Sequence, residues 1–368
     1  MRQRRTARSS AVLGPISSQW IFTMSETVSE PRAPFPYFGG KRNAAGIVWD
    51  ELGDCYSYVE PFCGSCAMLL ARPASHKAAV ETVNDADGML VNVWRALRDA
   101  PDEVARICAD PVMECEYHAR LAAIDAARAD FVPWIEGDPA HFDARLAGYW
   151  IYCQSLAIGS IFDSSGPWRV VDGRLVDSRK LPHLGNAGKG VNRVLPHLGD
   201  AGTGVNRALP HLGDAGMGEG IGPREANIRQ YLRALSRRLE RVRIVCGDWR
   251  RVVASDTVLF AGGCSAGVFL DPPYSGKGED IYNGEDTGGA LSASVEEWAV
   301  RAGACPRVRI ALCGYDAEHD GTIAHGWRKA NGRAGGSGLS VNRDSNDREY
   351  IWFSPHCIDP APELPGLL

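Results

Sequence analysis

Asp271-Pro272-Pro273-Tyr274, directly after the apolar run Gly267-Val268-Phe269-Leu270, groups an acid, two rigid prolines and an aromatic ring. A carboxylate there can accept hydrogen bonds from an exocyclic NH2, and prolines, which lack N–H donors, can turn carbonyls toward the same group. Tyr274 can stack on the ring that carries the amine. The plain alternative for these four residues is a strand-ending turn. Upstream, Tyr56 to Glu60 reads as a strand, Pro61-Phe62-Cys63-Gly64-Ser65-Cys66-Ala67 as a small-residue loop, and Met68 to Ala71 as the opening of a helix. Such a unit presents backbone N–H groups and a helix N-terminus at one edge of a parallel sheet, where ligands bind in doubly wound folds. Glu60 at the strand's end would repel a pyrophosphate and suits a cation such as an amino-acid ammonium.

Five segments in order carry a resemblance. They are Phe35-Pro36-Tyr37-Phe38-Gly39-Gly40-Lys41, Val59 to Cys66, Val83-Asn84-Asp85, Cys246-Gly247-Asp248-Trp249, and Asp271 to Tyr274. With a long insert before the last, the chain from about Pro34 to Pro355 resembles the Dam-like (D12 class) DNA adenine-N6 methyltransferases, which use S-adenosylmethionine. The resemblance implies a doubly wound, Rossmann-like α/β sheet with an inserted, mostly helical target-recognition module. It also implies double-stranded DNA as substrate.

Roles carry over only where residues match. The resemblance gives Lys41 the cofactor's methionine carboxylate, with Tyr37 beside it, and makes Asp85 the bridge to two ribose hydroxyls. Glu60 and Gly64 line the same loop, and Asp248 with Trp249 would hold the adenine of the cofactor. Each has a simpler reading: Lys41 as a surface lysine after a Gly-Gly turn, Asn84 as a helix N-cap, Asp248 as part of a turn. The family usually has glycine where Cys66 stands, because a side chain there approaches the cofactor closely. Cys63 and Cys66 also form a C-x-x-C, but no second pair completes a zinc site, so a metal is not expected.

The implied reaction needs neither metal nor covalent intermediate. The adenine N6 lone pair is delocalised; hydrogen bonds from its protons to Asp271 and the Pro272 carbonyl would favour a pyramidal nitrogen and offset developing positive charge. Because a duplex buries N6, the base must be flipped out, with Tyr274 replacing its lost stacking partners. Competing readings are cytosine-N4 or protein-glutamine methyl transfer, or a binding protein without turnover.

Composition sets the bounds. At 368 residues the chain is long for one domain and usual for a catalytic sheet plus an insert. A formal net charge of −5 means any nucleic-acid surface must come from local basic clustering. Eleven scattered cysteines favour free thiols in a reducing cytoplasm; the resemblance implies a bacterial or phage-infected cell and makes a partner restriction endonuclease a candidate companion. The expected division is a disordered basic extension over 1–32, a catalytic domain over 33–98 and 224–357, a target-recognition insert over 99–223, and a tail over 358–368. Within the insert, Leu181 to Arg193 recurs from Leu195 and partly from Leu209, a 14-residue repeat over 181–222 with too many Gly and Pro for a helix. It is either a DNA-contacting loop or a surface insertion grown by duplication. Helices are expected over Gly88–Arg98, from Pro101, over Glu114–Arg128, His141–Leu156, Glu225–Arg241 and Val295–Gly303. Strands are expected over Ala79–Val83, Val242–Cys246 and Val308–Cys313, and Arg348 to Phe353 as one arm of a closing hairpin. Arg229, Arg233, Arg237 and Arg241 form an i, i+4 ladder, read as a solvated helix face before a phosphate-tracking one.

Overall fold

In the computed structural model, the described residues are 31–37, 41–77, 79–156, 168–171, 174–177, 221–260, 263, 265–273, 288–332 and 349–359. The 14-residue repeats, Tyr274 and the loop after it, and almost all of the basic extension lie outside them.

Nine strands and ten helices are described: β1 (Ser57–Glu60), β2 (Val80–Asp85), β3 (Trp168–Val171), β4 (Arg174–Asp177), β5 (Val242–Cys246), β6 (Ala266–Leu270), β7 (Val308–Tyr315), β8 (Arg328–Asn331) and β9 (Glu349–Phe353). The helices are α1 (Ala45–Leu52), α2 (Ala67–Leu70), α3 (Gly88–Asp99), α4 (Pro101–Cys108), α5 (Glu114–Gly137), α6 (Ala144–Leu156), α7 (Ile221–Leu239), α8 (Arg250–Val253), α9 (Asp256–Leu259) and α10 (Gly288–Gly303). Seven strands form one sheet in the order β5-β2-β1-β6-β7-β9-β8, parallel except where β9 runs against both neighbours; β3 and β4 form a separate antiparallel hairpin. This is a mixed α/β fold with a seven-stranded, mostly parallel, Rossmann-like sheet.

Strand alternation explains the layers. Side chains at successive positions point to opposite faces, so a strand buried on both sides reads as a continuous apolar run. Phe269, Ala311, Cys313, Ile351 and Phe353 pack on one face with Val48, Trp49 and Leu52 of α1 and with α3. Val268, Leu270, Ile310, Leu312 and Trp352 pack on the other with Val252, Val253, Leu259, Val295 and Ala299 from α8, α9 and α10. The first core continues without a break through Leu97, Val104, Ile124, Trp150 and Leu232, so α4 to α7 extend the layer that α3 begins.

The expected elements form with small shifts at their ends, except α10, which begins at Gly288 instead of Val295, and α5. That helix runs through Pro133 to Gly137, although a proline normally ends a helix before itself. Tertiary packing outweighs the local rule here: Phe131 and Ile135 are buried against the core on either side of the proline. On α7, Arg233 makes paired hydrogen bonds of 2.7 Å with Asp102 of α4, and Arg238 reaches Glu81 of β2 at 2.7 and 2.8 Å. Arg229 pairs with Glu225 one turn away. Among the described residues no helix is long and apolar enough to cross a membrane.

From β1 the chain proceeds outward through β2 to β5, then returns to place β6 on the other side of β1. After β1 it enters α2, whose Met68, Leu69 and Leu70 join the first core; after β6 it goes on to α10 in the second. Where neighbouring parallel strands send their connections to opposite faces, a crevice opens beyond their carboxyl ends.

Candidate active site

Register puts the motif residues at that crevice. Val59 of β1 lies opposite Val268 of β6, so Glu60 and the Pro61–Cys66 loop emerge at the same edge as Asp271. Glu60 of β1 lies opposite Val83 of β2, and Asp85 opposite Cys246 of β5, which brings the Asn84-Asp85 and Gly247-Asp248 segments to that edge too.

Lys41 spans the end of β6 and the beginning of β9. Its Nζ lies 3.3 Å from Asp271 Oδ1 and 3.5 Å from Glu349 Oε1, and its side chain is only 9% exposed. Burial alone would pull the ammonium down, but the Asp271 and Glu349 carboxylates outweigh it and hold Lys41 above the ordinary lysine range. Asp271 and Pro273 are half-buried and Pro272 is buried between them.

The loop after β1 is fixed from below by β2. Asp85 Oδ2 accepts from the Gly64 N–H at 3.0 Å and Oδ1 from the Asp87 N–H at 2.9 Å. Burial lifts the Asp85 carboxyl to about 6 while those backbone donors act in the opposite sense. Asn84 does not cap α3; that role falls to Asp87, which accepts from the Met89 N–H at 2.9 Å. Instead the Asn84 amide donates to the carbonyls of Pro61 (3.0 Å) and Gly247 (2.9 Å), tying the β1 loop to the β5 loop.

Gly64 and Cys66 both adopt left-handed backbone, at φ 45° and 50°. At Gly64 a Cβ would stand 2.7 Å from a ring carbon of Tyr37, so glycine lets that ring lie on the loop. Cys66 occupies a conformation suited to glycine and is fully buried, its N–H donating to the Cys63 carbonyl at 2.6 Å.

Glu60 faces inward. Its Oε2 accepts from the Leu69 N–H and the Tyr58 hydroxyl, both at 3.2 Å, and burial raises the carboxyl to about 8. Asp248 is exposed and engaged by Arg250, accepting from its backbone N–H at 2.7 Å and its guanidinium at 3.0 Å. Trp249 next to it is buried, with its ring 6.0 Å from that of Phe62. Trp249 Nε1 and Asn84 Oδ1 are buried without a hydrogen-bond partner, which leaves one donor and one acceptor between the β1 and β5 loops.

The arrangement thus unites Tyr37, Lys41, Gly64, Asp85, Asp271 and Pro272 at one sheet edge, turns Glu60 into the loop's interior, and leaves Asp248 at the rim. Tyr274 falls outside the described residues. The first part of this edge matches a known family model. Residues 37–120 match the family model of D12 class N6 adenine-specific DNA methyltransferases. The matched stretch holds Lys41, Gly64 and Asp85, while Asp248, Asp271 and Glu349 lie beyond it. The activity named by that family is methyl transfer to N6 of adenine in DNA. No curated protein matches the chain.

Sequence reasoning missed Glu349 and the bridging role of Asn84. Because β9 is antiparallel, its first residue is the one that reaches the edge where the parallel strands have their ends. Among the described residues no group of three or more His, Cys, Asp or Glu side chains is placed to hold a metal ion.

Proposed function

We propose that this protein transfers the methyl group of S-adenosylmethionine to N6 of an adenine flipped out of double-stranded DNA. The observation that carries the reading is the Lys41–Asp271 pair at the crevice between β1 and β6, which joins the family-matched stretch to the Asp-Pro-Pro turn. The cofactor's sulfonium supplies an activated methyl. Everything else is binding and alignment by this chain.

The donor set fits such a cofactor. Gly64 gives close backbone approach beside Tyr37, and the unpaired Trp249 Nε1–H and Asn84 Oδ1 offer a donor and an acceptor to a purine. Lys41, the loop built on Glu60 and Asp85, and the rim at Asp248 enclose the same side. On the target side, Asp271 and the Pro272 carbonyl accept from the adenine amine, and Tyr274 stacks on the ring. Sequence reading of DNA falls to the segment 99–223, anchored through α4, α5 and α6.

Incubation of the protein with methyl-labelled S-adenosylmethionine and unmethylated DNA, followed by nucleoside mass spectrometry, tests this. N6-methyladenine is expected from the wild type and not from Asp271→Ala. Label in N4-methylcytosine or in protein glutamine would reassign the acceptor, and cofactor binding without any methylated product would mark a binding protein.

A further inference from the structure

Asp271 and Glu349 flank the carboxyl end of β7. Asp271 follows Leu270, which is opposite Leu312, while Glu349 is opposite Tyr315 on the other side of the same strand. Two strand spacings, roughly 9.5 Å, separate the strands that carry them. Lys41 bridges the gap at 3.3 and 3.5 Å. The other titratable groups whose charge bears on this ammonium are Cys313, whose thiol burial pushes well up, and Tyr315, which burial also raises.

We infer that Glu349 is a positioning residue of the methyl-transfer site: by sharing the Lys41 ammonium it loosens that cation's hold on Asp271, so that Asp271 can take the substrate amine. The inference rests on the function proposed above. An ammonium beside a single carboxylate forms a closed neutral pair, and its positive charge would oppose the charge that grows on N6. With two carboxylates around one ammonium, the cluster keeps a net negative charge where positive charge develops, and the lysine is held protonated from both sides. Glu349 comes from the strand that reverses the sheet's direction, so this geometry explains why the reversed strand begins with an acid.

Two measurements on the full-length protein test it. In steady-state methylation, Glu349→Gln is expected to lower kcat roughly tenfold at unchanged KM for DNA, the effect of one charge at this distance in a partly screened site. Glu349→Asp, which keeps the charge, should restore kcat. Independently, the Lys41 side-chain resonance in lysine-labelled protein should titrate at lower pH in Glu349→Gln than in wild type. Wild-type kcat with an unmoved Lys41 titration in Glu349→Gln would overturn the inference, as would a loss that Glu349→Asp fails to rescue. If the wild type makes no methylated base, the proposed function fails, and the Lys41 titration still decides whether Glu349 shares the ammonium.

Discussion

Lys41 Nζ stands 3.3 Å from Asp271 Oδ1, joining the segment before α1 to the turn after β6 across the end of the sheet. A buried lysine is costly unless paired, and here the pairing also fixes the acid to which the proposed reaction assigns the substrate amine. Replacing Lys41 by Met should therefore damage fold and activity together. Because Asp271 and Glu349 keep some solvent contact, the loss is expected at about 1–3 kcal/mol, less than for a fully buried pair. Urea denaturation of the variant at neutral pH measures it.

Asp271→Ala separates the two effects. Lys41 retains Glu349, so the chain should fold with a midpoint near that of the wild type, while methyl transfer falls by about 10² or more, as when a positioned electrostatic partner is removed. Retained turnover would remove Asp271 from the chemistry. Binding of S-adenosylmethionine, followed by calorimetry, should survive the change.

Cys66 is the clearest point of backbone tension. A left-handed residue other than glycine costs about 1–2 kcal/mol, so Cys66→Gly regains that amount and loses the packing of a buried thiol. The net change should stay within about 1 kcal/mol. Cys66→Val, β-branched at the same φ, should cost about 2 kcal/mol or more. Thermal denaturation of the two variants side by side gives the comparison; equal stabilities would contradict the conformational argument.

Glu60 sets a pH dependence of known sign. Its carboxyl is raised in the folded chain from 4.5 to about 8, so across that range the folded state holds more protons than the unfolded one. Stability then falls as pH rises through the window. Glu60→Gln, which imitates the protonated acid, should flatten the decline in Tm between pH 6 and pH 8. A wild-type Tm that rises over the same interval would refute the assignment.

The order of strands and helices was readable because an unbroken apolar run marks a doubly covered strand, as in Gly267–Leu270 of β6, and alternation marks the edge strand Val242–Cys246, which forms with the expected limits. The convergence of Lys41, Gly64, Asp85 and Asp271 was readable from motif order, since each sits at the exit of a parallel strand or just before the first helix. Side-chain commitments were not. Asp248 and Glu60 look equivalent as acids at strand ends, yet one accepts the Arg250 N–H at the surface and the other turns inward onto the Leu69 N–H. That difference depends on which backbone donors happen to lie within reach, a property of the packed chain. Glu349 escaped notice for a topological reason: the reversal of β9 puts the strand's beginning where its neighbours have their ends.

The Lys41–Glu349 contact spans 308 positions of the chain. At a synthesis rate of about 5–20 residues per second, its second half leaves the ribosome roughly 15–60 s after its first. A nascent or prematurely terminated polypeptide would carry the early motifs with the lysine still lacking its distal counter-ion. On the proposed reading, the site around Lys41 is complete only once β9 has been synthesised.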